Sequence, residues 1–287
     1  MFGTLKRTLA IGTIIFVGLF SDFSMAETVY VPKKLVGPPD LIGIEERGQL
    51  VVAMVSSDNP PFHSDNHGHL EGIDVDLSNA IAAAIGVEVV FDRSAKTFDE
   101  VVAKVVNGEA DIAVSKISRT NARAMVVAFS KPYLRLKNAL MFNRLNLAQK
   151  SKGKDLGDYV RSFDGKIGVI QKSAFVDFGK QRFPLAEIVE FKTWNEVVDA
   201  TISGEIDAAY RDEFEVRRIT EDLPESSIKL RPVAIADAVG SISVAVSWKA
   251  PRLLAIVNQA VDDRPTALTV DDVIAMYRKS TTVEGEH

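Results

Sequence analysis

A segment of 16 residues occurs twice in this chain: Phe98-Asp-Glu-Val-Val-Ala-Lys-Val-Val-Asn-Gly-Glu-Ala-Asp-Ile-Ala113 returns as Trp194-Asn-Glu-Val-Val-Asp-Ala-Thr-Ile-Ser-Gly-Glu-Ile-Asp-Ala-Ala209, at a constant offset of 96. Seven positions are identical, among them Glu100/Glu196, Gly108/Gly204 and Asp111/Asp207. In each copy an aromatic opens a run of helical spacing, a glycine ends it, and a short apolar strand follows. Any two helix-glycine-strand units share some of this pattern, but seven gapless matches in 16 exceed what hydrophobicity alone requires. The period is far too long for a solenoid. Two lobes built on one plan are therefore expected, and facing lobes enclose a cleft of the kind that binds small ligands.

The flanking sequence keeps alternating. Strand patterns are read at 50–55, 87–91, 111–114, 166–170, 187–191, 228–233 and 241–248. Helical spacing is read at 73–85, with Asp74, Asp76 and Ser78 on its polar face, and at 98–106, 173–183, from Asp212, 251–261 and 270–278. This βαβ alternation predicts an α/β fold with mostly parallel sheets. Residues 27–46 are polar and proline-containing and read as a lead-in outside the core.

Composition narrows the chemistry. With 39 acidic and 34 basic residues the chain carries a formal −5, so nothing advertises nucleic acid or an anionic membrane as partner. No cysteine occurs, which removes disulfides, thiolate metal sites and cysteine nucleophiles. Lys6 and Arg7 precede a 13-residue apolar run, Thr8 to Phe20, followed by Ser24-Met25-Ala26. That is the layout of a secretory signal peptide cut after Ala26, and the run is too short for a spanning helix. Neither GxxxxGK[ST] nor GxGxxG is found, in keeping with a protein that works outside the cytoplasm.

Four stretches in order carry a resemblance: Asn59-Pro-Pro-Phe62; Gly72-Ile-Asp-Val-Asp-Leu77; Ser118-Arg-Thr-Asn-Ala-Arg123 with Phe129-Ser-Lys-Pro-Tyr133; and Gly204-Glu-Ile-Asp-Ala-Ala209 leading to Asp212. From about Gly48 to Lys279 the chain resembles the extracellular solute-binding proteins of family 3, type II periplasmic proteins that deliver amino acids to ABC importers. The resemblance implies two α/β lobes joined by two hinge strands: lobe 1 from 47–137 and 241–280, lobe 2 from 138–240, and a tail at 281–287. It implies a ligand cleft between the lobes, no cofactor, no catalytic residues, a monomeric receptor and an inner-membrane permease as partner.

By that resemblance, Arg123 grips the ligand's α-carboxylate, for which a guanidinium fork suits, and Ser118 joins the carboxylate cage. Asp212 pairs with the α-ammonium, and Glu213 beside it could be mistaken for that acid. Asn59, Phe98, Ser115, Lys116, Ser173 and Ala174 line the cleft. Three positions depart from the family pattern: Asn59 replaces a covering aromatic, Ala174 a hydroxyl, and Lys116 a small side chain. An inward Lys116 would favour a polar or acidic ligand side chain; an outward one says nothing.

Other chemistry finds less support. The same fold hosts a cyclohexadienyl dehydratase, but the position of its acid aligns with Val176 here, and valine cannot act as a general acid. A ligand-sensing partner of a membrane receptor would use the same cleft. His63, His67 and His69 fall within seven residues and invite a metal, yet Asn66 and Gly68 mark a polar turn where exposed histidines gather without a ligand role.

Overall fold

The computed structural model describes residues 38–264 and 268–284, so the expected signal peptide and its cleavage site lie outside the described residues. The first half contains α1 (Pro39–Arg47), β1 (Gln49–Val55), the hairpin β2 (Ser64–Asn66) and β3 (His69–Glu71), α2 (Ile73–Ile85), β4 (Glu88–Ala95), α3 (Phe98–Val106), β5 (Ile112–Ala113), α4 (Asn121–Ala124) and β6 (Ala128–Phe129). A long strand β7 (Leu134–Asn143) then leads to α5 (Arg144–Ser151), α6 (Leu156–Arg161), β8 (Lys166–Ile170), α7 (Ala174–Arg182), β9 (Glu187–Phe191), α8 (Trp194–Ser203), β10 (Ala208–Asp212) and α9 (Glu213–Asp222). The second long strand β11 (Leu230–Ile242) returns to β12 (Ala245–Val246), α10 (Pro251–Asp262) and α11 (Val270–Glu284).

Two five-stranded sheets result, ordered β4-β1-β5-β12-β6 and β11-β7-β10-β8-β9. Each carries apolar clusters of its own built with the helices packed on it. These are the two lobes. The sheets are mixed where alternation alone suggested mostly parallel: β12 returns antiparallel to β5, and β7 and β11 pair antiparallel along most of their length. The reason is the crossing between lobes, because a chain that leaves one sheet and comes back must run in opposite directions.

Three expectations are corrected. The stretch 27–46 is not all lead-in: Pro39 starts α1, Gly48 closes it at φ 68°, and Leu41 and Ile44, one turn apart, are buried in the first lobe's core. The proline at the helix start and the glycine after its end were the available signals. On α2, Asp74 and Ser78 are buried: Asp74 accepts the Lys116 N–H and the Tyr133 hydroxyl, and the Ser78 hydroxyl donates back to the Asp74 carbonyl. The last helix also runs on to Glu284, past the apolar spacing that ends at Arg278.

Gly72 sets that first turn. Its φ is +125°, and a Cβ there would lie 2.5 Å from the Phe62 carbonyl oxygen. The close approach lets the Ile73 and Asp74 N–H groups donate to the Pro61 and Phe62 carbonyls, fastening the Asn59–Phe62 loop to α2. Gly72→Ala should therefore cost at least about 2 kcal/mol of stability in urea denaturation, since both backbone strain and a backbone clash arise. Gly204→Ala, at φ +82° with no contact shorter than 3.6 Å, should cost only about 1 kcal/mol.

Candidate functional site

The repeated segments deliver the site in matching pairs. Thr97 and Thr193 cap α3 and α8, each hydroxyl accepting the N–H of the glutamate three residues on, and the N–H groups of Lys96 and Lys192 donate back to those carboxylates. The offset of 96 continues past the repeated segments, so Lys116 and Asp212 hold equivalent positions in opposite lobes. They meet: Lys116 Nζ lies 3.0 Å from Asp212 Oδ2.

Lys116 points inward and is buried. Its backbone sits in the left-handed region at φ 49°, held by its N–H donating to Asp74 Oδ2 at 2.8 Å. Asp74 also accepts the Tyr133 hydroxyl at 2.6 Å, and burial, then the Asp74 charge, push that phenol up so that it stays protonated. The ammonium of Lys116 lies 4.7 and 4.9 Å from the ring centres of Phe62 and Phe214, cation–π contacts to two rings that themselves pack edge to face at 5.5 Å. It also donates to Glu215 Oε1 at 2.7 Å. Burial by itself would push the Glu215 carboxyl up, but Lys116, Arg211 and Arg218 outweigh it and hold that carboxyl well below the usual carboxylate range. Asp212 serves locally too, its side chain accepting the Glu215 N–H to cap α9.

On the first lobe, Thr120 caps α4 and Arg123 projects from it, buried. Arg123 Nε and Nη2 donate to Asp99 Oδ1 at 3.1 and 2.7 Å, and Nη1 donates to the Ser118 carbonyl at 3.0 Å. Arg123, Ser118, Phe98 and Lys116 from one lobe and Ser173, Ala174, Arg211 and Asp212 from the other line one small chamber of about 20 Å³. Arg211 and Phe98 also line a neighbouring cavity of about 400 Å³. At the chamber wall the Ser173 hydroxyl turns back to donate to the Ile170 carbonyl, so it does not cap α7.

Of the nine residues expected to line the cleft, Phe98, Lys116, Ser118, Arg123, Ser173, Ala174 and Asp212 are brought together around this chamber. Asn59 lines the larger cavity instead. Ser115 lines neither; it is fully buried and its hydroxyl accepts the Val55 N–H at 3.1 Å, tying β1 to the end of β5. Glu213 points elsewhere, accepting the Lys137 N–H. The three clustered histidines part company. His63 is fully buried, with Nδ1 3.4 Å from Asp74 Oδ2, which corrects the expectation of an exposed loop residue, while His67 and His69 are exposed on the hairpin. Among the described residues no group of three or more histidine, aspartate or glutamate side chains could hold a metal ion.

Sequence reasoning missed Asp99, Glu215, Arg211 and Trp194. Trp194 carried a signal, since it repeats Phe98, and the two rings flank the Arg211 guanidinium at 5.3 and 5.9 Å. Glu215 lies in the first turn of α9, and its carboxylate is buried against Lys116 of the first lobe and Arg211 and Arg218 of its own. Glu215→Gln should cost about 3 to 5 kcal/mol at pH 7 by urea denaturation, because it leaves buried cations under-compensated. As the folded carboxyl titrates below its unfolded value, its contribution is present above about pH 4.3 and is lost as pH falls further. The gap between wild type and variant should therefore narrow from pH 7 to pH 3.

Comparison with known proteins agrees with the two-lobe α/β fold. The family described as bacterial extracellular solute-binding proteins, family 3, matches residues 50–277. A probable histidine-binding protein of Campylobacter jejuni is 25% identical over 218 residues, 76% of this chain and 80% of the relative. A membrane-bound lytic murein transglycosylase F of Idiomarina loihiensis is 26% identical over 206 residues, 68% of this chain but only 42% of the relative. Among solved structures, an amino acid ABC transporter substrate-binding protein from Streptococcus pneumoniae, bound to L-arginine, superposes with a TM-score of 0.66 at 26% identity, covering 83% of this chain and 98% of that one. Among the described residues no helix is long and apolar enough to cross a membrane.

Proposed function

This chain belongs to the bacterial extracellular solute-binding proteins, family 3, and on that premise we propose that it captures a small amino acid, one with a polar or acidic side chain, between its lobes and delivers it to an ABC-type permease. The observation that carries the reading is the small chamber, where Arg123 from one lobe and Asp212 from the other face a common space. An amino acid brings one charge of each sign, and burying either without a partner costs several kcal/mol. Arg123 would offer its guanidinium to the carboxylate in exchange for Asp99 and the Ser118 carbonyl, which hold it in this structure, and Asp212 would offer its carboxylate to the ammonium in exchange for Lys116. A ligand touching both would bridge the lobes and so favour the closed arrangement, through its higher affinity for that state.

We assign the hinge to β7 and β11, lobe 1 to 47–137 and 241–280 with α1 added, and lobe 2 to 138–240. The protein is taken to act as a monomer in the periplasm after removal of its first 26 residues, without cofactor or nucleic acid. The histidine-binding and arginine-bound relatives support an amino-acid ligand. Binding is favoured over a dehydratase because the position of that enzyme's acid is Val176, which packs against the apolar core of the second lobe. The likeness to a lytic transglycosylase spans less than half of that protein and does not bring its activity with it.

Isothermal titration of the purified mature protein with the twenty amino acids tests the proposal, with one site per chain expected. Arg123→Ala should lose more than about 2 kcal/mol of binding free energy with the circular dichroism spectrum unchanged, and so should Asp212→Ala, because each leaves an opposite charge buried and unpaired. Full binding by both variants would remove the assignment.

A further inference from the structure

The 400 Å³ cavity beside the chamber is electrically one-sided. Lys96, Lys192, Arg211 and Arg218 line it against Asp58 and Glu215. Both acids are already engaged, Asp58 with Arg93 at 2.7 Å and Glu215 with Lys116 at 2.7 Å and with Arg218 at 3.2 Å, so that Arg218 is paired while, among the described residues, Lys96, Lys192 and Arg211 lack a close carboxylate partner within the lining. Arg211 is the charged group common to the chamber and the cavity, and it is only 6% exposed. Its Nε and Nη1 have no hydrogen-bond partner. Glu215 Oε1 is 3.5 Å from Nη2 and Asp212 Oδ2 is 3.9 Å from Nε, too long for the hydrogen bonds a buried guanidinium requires. Trp194 Nε1 and Arg218 Nε, in residues that also line the cavity, lack partners as well. Among the described residues, the unpartnered buried side-chain atoms of the cavity lining are thus all N–H donors.

Buried donors left unmade are expensive, and an acceptor carrying negative charge satisfies them best. A cationic ligand side chain would instead enter a field of like charge. The aromatic faces of Phe98 and Trp194 hold the Arg211 guanidinium between the lobes, which pre-orients its remaining donors.

We propose that the larger cavity is an anion subsite centred on Arg211, and that the ligand is an amino acid or close relative bearing a second negatively charged group. This rests on the reading of the chamber as an amino-acid site and names its substrate class.

The test is titration of the mature wild-type protein with the near-isosteric pairs L-glutamate and L-glutamine, L-aspartate and L-asparagine, with L-arginine and L-histidine, and with glutarate and succinate, which lack the amine. The expected result is that an acidic amino acid binds at least about tenfold more tightly than its amide. Arg211→Gln should reduce that preference to less than about threefold, and Arg211→Lys should keep part of it. Binding of an amide, arginine or histidine as tight as that of the acids would overturn the anion subsite while leaving the amino-acid reading intact. An Arg211→Gln variant that folds and keeps the full preference would overturn the role of Arg211. If glutarate or succinate binds and no amino acid does, the subsite stands and the amino-acid reading falls. Failure of the whole panel to bind the folded protein would overturn both.

Discussion

A lysine ammonium buried between two lobes, with two carboxylates and two aromatic faces around it, is the contact on which the rest of this structure depends. In low dielectric each of those charges would be intolerable alone. Lys116 therefore draws Asp212 and Glu215 onto the first lobe, and Phe62 and Phe214 exclude water from the junction. Phe214, which immediately precedes Glu215 in the first turn of α9, packs in the apolar cluster of the first lobe, so the charge pairing and the hydrophobic contact are made by the same segment of α9. Removing the ammonium would leave the acids repelling each other at the place where the lobes must close.

The supporting shell can be traced back residue by residue. Lys116 adopts a left-handed backbone conformation that a lysine seldom takes, and Asp74 secures it through the amide. Asp74 is in place because α2 begins hard against the Asn59–Phe62 loop, which only the glycine at 72 allows. A chain of short-range conformational requirements thus ends in one long-range ion pair. The internal repeat gives that pair its meaning: the third residue beyond each copy is Lys116 in one lobe and Asp212 in the other, so equivalent positions supply a base and an acid. Phe98 and Trp194, likewise equivalent, flank one guanidinium.

Much of the fold was legible because its signals are local. The helices at 73–85 and 98–106 and the strands at 166–170 and 187–191 have the expected limits, since apolar periodicity and terminal glycines act over a few residues. Arg123, Asp212 and most of the lining followed from short motifs. The errors share a different origin. Asp74, Ser78 and His63 were assigned to solvent from residue type, yet all three are buried, because burial depends on what packs over a residue from elsewhere in the chain. Ser115 sits in the expected segment, but two residues beyond β5 its hydroxyl accepts the Val55 N–H of β1 and lines neither cavity.

The sequence by itself determined the α/β alternation and the doubling of the plan, because periodicity and helix capping are properties of neighbouring residues, while the two opposed charges, one in each half, came from the family resemblance that its short motifs carry. Only the tertiary structure decided that Lys116 turns inward onto Asp212, that Glu215 becomes a buried anion, and that Arg211 is left with donors to spare. Those outcomes are set by distance and dielectric between segments about 100 residues apart, and no local pattern encodes either quantity.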